Sequence, residues 1–445
     1  MGKRVCVVGA GPSGLAALKT LRQAGLDASG FEMSPVVGGH WVIDNPNGRA
    51  AAYRSLRTNT TKRMSRFSDF EMPDAWPAFP SHDQVRAWLE SYVDAFGFRD
   101  AIHTRTTVDL ATPRDGGGWD VSLIDAEGRT RTERFDALVA ASGNYWDARL
   151  PTWDGAFDGR ILHAQAYRDP ETPFDTRGKR VIVVGIGNTG CELACEIAAA
   201  GAASVHISAR SGTWIMPRTV SGAPGADQAP MTHPTDPVIR PLDLLPGWAQ
   251  RALFQRIAKG RIVGMFTERM ARLQALGLPA PPAHPLSKRP TASDDILDAL
   301  ESGAVKAKPA IERLDGPEVV FADGSRLPAD LVLCATGYRL AYPYLDAGVA
   351  DTRGDDLSLF MGTVAPDRED LFFVGVSRPT GAFWPIAEAQ AQFAAAMLTG
   401  AYRPPSRKAR ARRARPILGR NAWSPAIYGQ ELRGELRRGR GRKPS

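Results

Sequence analysis

Two glycine loops in this 445-residue chain have the spacing that lets a backbone wrap a pyrophosphate. The first, Gly9-Ala-Gly11-Pro-Ser13-Gly14, follows the apolar run Lys3-Arg-Val-Cys-Val-Val8. The second, Gly185-Ile-Gly187-Asn188-Thr189-Gly190, follows Arg180-Val-Ile-Val-Val184. In such a loop the first glycine permits a tight turn, the second lets the backbone approach the phosphates, and the third lets the next helix pack close to the strand. That helix offers its positive amino-terminal end to the phosphates. Ser13 opens the first helix and Asn188 and Thr189 the second, so they count with the glycines as binding residues.

Charge distinguishes the two loops. Glu32 ends the second strand of the first unit, 18 residues beyond Gly14. An acid at that distance accepts hydrogen bonds from adenosine ribose hydroxyls. At the corresponding place in the second unit stands Arg210, 20 residues past Gly190. An acid there would repel a ribose 2′-phosphate, whereas arginine pairs with it through charge-assisted bonds worth roughly 1.5–3 kcal/mol. The pattern therefore describes two adenine dinucleotides, with NADPH favoured over NADH at the second.

Other chemistries find little support. The cysteines Cys6, Cys191, Cys195 and Cys334 lie inside apolar strand or helix patterns and form no disulfide framework. Cys191 and Cys195 are four apart on an expected helix and read as packing, because a redox pair uses other spacings. His233 and His284 stand alone beside prolines, so no metal is expected. There is no convincing Ser/His/Asp set and no paired carboxylate.

These residues need two strand–loop–helix–strand units, which means an α/β chain with two Rossmann-like dinucleotide-binding domains. The length suffices for two cores, and 43% hydrophobic with 23% charged residues is ordinary for a globular protein. The net charge of +8 is a property of the tail: from Arg403 onward there are 14 Lys or Arg against 2 Glu, and the rest of the chain is mildly acidic. The tail lacks interleaved aromatics, which argues against a nucleic-acid partner. No transmembrane segment or leader is evident, so a cytoplasmic protein is expected.

Between the loops, 80–96 reads as an amphipathic helix, and 102–110, 119–125 and 131–135 as alternating strands. The strand-and-glycine run Phe135-Asp-Ala-Leu-Val-Ala-Ala-Ser142-Gly143 returns downstream as Ala329-Asp-Leu-Val-Leu-Cys-Ala335-Thr336-Gly337, as if each copy marks a crossing between domains. From 216 to 290 the chain is irregular and proline-rich, with helical pieces at 246–258 and 267–276.

The stretch Phe157-Asp-Gly159-Arg-Ile-Leu-His163-Ala-Gln-Ala-Tyr167 resembles the linker fingerprint of the flavin-containing monooxygenases. Five further segments resemble that family in the expected order: the two glycine loops, Gly38-Gly39-His40-Trp41, the Asn59 loop with Phe67-Ser-Asp-Phe70, and Ala335-Thr336-Gly337-Tyr338. The segment Pro379 to Ala391, with Gln390, resembles the family's last helix, whose start faces the flavin. The resemblance runs from Lys3 to about Thr399. It implies FAD in the first site and NADPH in the second, with Gly39, His40, Trp41, Thr336 and Gln390 along the cofactors. It implies that Asn59 sits beside the flavin as the one catalytic side chain. It also implies the family cycle, in which NADPH reduces FAD, dioxygen is captured as a C4a-hydroperoxyflavin, and one oxygen passes to a soft nucleophile, an amine nitrogen or a sulfur, of a small molecule.

On this reading an FAD-binding domain (1–150 and 326–432) is interrupted by a linker (151–178) and an NADP-binding domain (179–325, with the irregular insertion 216–290). A basic disordered tail (433–445) follows, and a homodimer is compatible with the chain. Two alternatives stay open: a Baeyer–Villiger monooxygenase acting on a ketone, whose fingerprint commonly ends in Trp where this chain has Tyr167, and a non-catalytic nucleotide-binding protein acting through its tail.

Overall fold

The computed structural model describes residues 2–220, 223–224, 247–285, 287–346, 348–349, 357–377, 379, 381–417 and 425–440. His233 lies outside them. Two five-stranded parallel sheets carry the architecture. The first runs Leu371–Phe373, Ala137–Ala140, Arg4–Val8, Asp27–Phe31, Ile102–His103 in spatial order. The second runs Arg160–His163, Leu331–Cys334, Arg180–Val184, Ser204–Ser208, Val305–Lys308. Position by position, the second sheet repeats the first.

The central strands read as unbroken apolar runs because both faces are covered. Val5 and Val7 pack toward the helices Pro12–Gln23 and Trp384–Leu398, whereas Cys6 and Val8 pack toward a three-stranded antiparallel layer, Thr107–Pro113, Trp119–Ile124 and Thr130–Phe135. In the second unit Val181 and Val183 face the helix Asn188–Ala199, and Ile182 and Val184 face the meander Ile311–Asp315, Glu318–Phe321, Arg326–Pro328. Each meander is followed directly by the strand that ends in a small residue and glycine, 137–140 in one unit and 331–334 in the other.

That arrangement corrects several expectations. Leu331–Cys334 pairs with Arg180–Val184 and so belongs to the second sheet, although the sequence places 326 onward in the first domain. The fingerprint contributes the edge strand Arg160–His163 to the same sheet, so it is more than a linker. Within 216–290, the described part holds one helix, Gly247–Ala275, instead of two pieces, and Gly260 and Gly264 sit inside it facing open space. The tail is not disordered from 433: Pro425–Arg440 is a helix packed against Trp384–Leu398. It buries Tyr428 and Leu432, with Glu435 fully enclosed, while 441–445 lie outside the described residues.

Candidate active site

The first glycine loop is shaped by backbone contacts that leave no room for a side chain. Gly9 has φ +100°, and a Cβ there would lie 2.9 Å from the Ala141 carbonyl oxygen. At Gly14 a Cβ would come within 1.8 Å of the Gly9 oxygen. Gly11 differs: a Cβ there would meet the Gly39 Cα at 3.5 Å, an ordinary contact distance. Glu32 clasps this turn: one carboxylate oxygen accepts from Ala10 N–H and the other from Ser34 N–H, both at 2.8 Å. Burial raises its carboxyl above the usual range, while these two donors pull it back.

The second loop repeats the construction. Gly185 has φ +111° with its Cβ position 2.6 Å from the Ala335 oxygen, and a Cβ at Gly190 would lie 2.0 Å from the Gly185 oxygen. The two copies of the strand-and-glycine run thus do equal work, since Ala141 and Ala335 each back a loop. Gly187 faces open space. Asn188 turns its side-chain oxygen to Ala292 N–H at 2.9 Å, which ties the loop to the strand Thr291–Ala292, and Thr189 is half-buried in the first helical turn. Arg210 is exposed two residues beyond Ser208, and Lys288 reaches the same turn, its Nζ donating to Ser211 Oγ at 2.9 Å.

Both helices that open at these loops fit a phosphate. Neither Pro12–Gln23 nor Asn188–Ala199 has a side-chain cap or an acid in its first turn, so their leading N–H groups stay available. Among the described residues of the first unit, six buried polar atoms lack a partner: Trp41 Nε1, Asn45 Nδ2, Thr58 Oγ1, Asn144 Oδ1, Trp146 Nε1 and Ser377 Oγ. Buried polar groups are otherwise nearly always satisfied. A polar ligand such as FAD along these segments would satisfy them, so the residues present suit the group the loops imply.

Where the two units meet, aromatic rings close the site. His40 lies tilted against Trp41 with ring centroids 4.7 Å apart and meets Tyr145 edge-on, Trp41 meets Trp384, and Tyr145 meets both Tyr338 and Phe383. Burial pushes the His40 imidazole down to about 4. Arg289 arrives from the second unit, donating to the Tyr145 hydroxyl at 3.2 Å while its guanidinium lies over the Phe383 ring. His163 is held neutral, since Nδ1 accepts from Gln165 N–H at 3.1 Å, Nε2 donates to the Gly337 carbonyl at 3.0 Å, and burial lowers its pKa. It joins the fingerprint to the second crossing, with both ring nitrogens engaged by backbone groups.

Asn59 is half-buried and its side-chain oxygen faces Arg218. One sequence expectation changes here. Gln390 is fully buried, its Oε1 accepting from Gly375 N–H and its Nε2 donating to the Gly362 carbonyl, both at 2.7 Å, so it cannot touch a cofactor. Instead it holds Gly375 against Ser13, whose hydroxyl occupies the space a Cβ on Gly375 would need. Thr336 is half-buried and donates its hydroxyl to the Arg149 carbonyl at 2.5 Å. Cys191 is buried and unpaired, and burial pushes the Cys195 thiol up to about 12, as a packing role requires. Glu192, Arg218, Tyr145 and Arg289 carry no local motif; only their tertiary neighbours mark them.

Among known proteins, the chain matches the FMO-like family, flavin-binding monooxygenase-like, over residues 2–415. Flavin-containing monooxygenase 5 of Oryctolagus cuniculus is 35% identical over 422 residues, which span 91% of this chain and 75% of that one. The fold is shared with S-allyl-L-cysteine S-oxygenase from Allium sativum, at TM-score 0.70, 20% identity and coverage of 98% of this chain and 89% of that one. It is shared too with a cyclohexanone monooxygenase mutant from Rhodococcus sp. Phi1 bound to NADP+, at TM-score 0.71, 19% identity and coverage of 99% and 98%. With the two glycine loops and the fingerprint strand between them, the chain belongs to the flavin-binding monooxygenase-like family, as an FAD-dependent monooxygenase that draws its electrons from NADPH.

Proposed function

We propose that this enzyme transfers one oxygen atom of O2 to an amine nitrogen or a sulfur of a small molecule, reducing the other to water at the expense of NADPH. The observation that carries the reading is Asn59, a neutral amide placed where the first unit touches the helix of the second glycine loop. Bound FAD supplies the hydride acceptor and the oxygen-activating ring. The chain supplies placement. Glu32 receives the adenosine ribose, the uncapped start of Pro12–Gln23 the pyrophosphate, and Arg210 with Lys288 the 2′-phosphate of NADPH.

At the junction, the rings of Trp41, Tyr145, Phe383 and Trp384 exclude water. Asn59 would set a neutral amide donor beside the bound flavin without offering a proton. Burial lowers the pKa of both His40 and His163, so neither would add an acid to the junction at neutral pH. Among the described residues no helix is long and apolar enough to cross a membrane, and a cytoplasmic setting is part of the proposal.

The test is NADPH oxidation by the FAD-loaded protein with methyl phenyl sulfide, N,N-dimethylaniline and cyclohexanone in parallel, followed by product analysis. Sulfoxide or N-oxide is expected. Lactone alone would move the enzyme to the ketone-oxidising class.

A further inference from the structure

Arg218 follows the strand Ile215–Met216 of the second unit and reaches toward the first. Its backbone N–H is pinned by Asp294 Oδ1 at 2.8 Å. Its guanidinium has two partners: Nη2 pairs with Glu192 Oε1, and Nε and Nη2 point at the Asn59 side-chain oxygen from 3.3 and 3.2 Å. Glu192 stands on the helix Asn188–Ala199, and its other oxygen accepts from the Tyr53 hydroxyl. Both side chains of the ion pair are only 15% exposed, so water and salt screen it weakly.

An amide has one accepting end and one donating end. With its oxygen engaged by a cation, Asn59 has only Nδ2 to offer elsewhere. Turning the amide over would set its NH2 against the guanidinium, replacing attraction with repulsion and losing charge-assisted bonds. We propose that Arg218 is a positioning residue that fixes the polarity of the Asn59 amide, donor side toward the cleft, and that Glu192 holds Arg218 so that Asn59 is registered against the NADPH-binding helix. This rests on the role given to Asn59 above. Arg218 lies 159 residues from Asn59 in sequence, so no local pattern marks the pair.

The experiment compares the FAD-loaded wild type with Asn59→Ala, Arg218→Met, the double variant, Arg218→Lys and Asn59→Asp. One readout is Tm without NADPH. The other is hydrogen peroxide release with NADPH and no substrate, the futile reaction NADPH + H+ + O2 giving NADP+ and H2O2. The Tm losses of Asn59→Ala and Arg218→Met should be non-additive, as for residues in direct contact. Peroxide release should rise in both by about ten- to a hundredfold, the equivalent of one hydrogen bond to a charged group, with no further rise in the double variant. Arg218→Lys should restore most of the wild-type behaviour, and Asn59→Asp should keep Tm while leaking peroxide.

A fully folded Arg218→Met with unchanged peroxide release, beside a leaky Asn59→Ala, would overturn the inference and leave the Asn59 role standing. Unchanged release in both would overturn that role itself. If Arg218→Met does not fold, Glu192→Gln takes its place: a smaller rise is expected, and none would overturn the inference.

Discussion

Arg210 and His40 make the sharpest residue-scale predictions. Arg210 is exposed at the end of the second strand of its unit, ready to pair with a phosphate that NADH lacks. Arg210→Ala should raise the KM for NADPH by about ten- to a hundredfold, the loss of one charge-assisted bond, and leave the KM for NADH unchanged; steady-state kinetics with both nucleotides checks this, and equal effects would contradict it. His40, pushed down to about 4 by burial, stays neutral in the fold while the unfolded chain takes up a proton near 6.5. The unfolded state therefore binds more protons between those values, and stability falls as pH drops through that window. Tm measured at pH 7.5, 6 and 4.5 should fall less steeply in His40→Gln than in the wild type, with equal slopes as the contrary result. The strand–loop–helix unit around the glycines and Glu32 was legible in sequence because its residues are neighbours along the chain. Gln390 was misread because both partners of its amide are backbone groups 15 and 28 residues away, which no local pattern records.

Loops and helices set the next scale. Gly14 and Gly190 occupy equivalent places, and in each a Cβ would collide with a carbonyl oxygen at 2.0 Å or less. Gly14→Ala should give protein that does not retain FAD. Gly190→Ala should leave it yellow but deaf to NADPH, and flavin content with anaerobic NADPH reduction separates the two. If Gly190→Ala also came out colourless, the loops would not serve separate nucleotides. The tail helix Pro425–Arg440 makes another prediction. Glu435 is enclosed, accepting from the Tyr402 hydroxyl at 2.8 Å and Arg413 Nη2 at 2.6 Å, and Tyr428 donates to the Met361 carbonyl at 2.7 Å. Ending the chain at residue 424 should lower Tm, since burial of Leu432 alone contributes about 1.5–3 kcal/mol; an unchanged Tm would mean the helix is not docked in solution. In sequence the part from 433 onward looked disordered because its arginines dominate composition. Its few apolar residues and one buried acid are what dock it.

At the scale of the whole molecule, the chain uses one plan twice: a parallel sheet, an antiparallel meander, and a last strand whose small-residue end backs a glycine loop. The repeat was visible in sequence through 135–143 and 329–337, yet the sharing of strands was not, because parallel partners are set by crossovers instead of neighbours. The fingerprint strand lies beside Leu331–Cys334, and His163 ends in register with Cys334, next to the crossing that returns the chain to the first sheet. Through Asn59, Arg218 and Glu192 the two units also meet by side chains. A molecule built this way would bring the two cofactors of the proposed reaction to one junction.

Turnover under 18O2 with methyl phenyl sulfide and NADPH, read by mass spectrometry of the product, tests that claim most directly. The account predicts sulfoxide carrying one 18O, with one NADPH consumed for each product formed apart from any futile peroxide. NADPH consumption that yields only labelled hydrogen peroxide, or a sulfoxide whose oxygen comes from water, would contradict it.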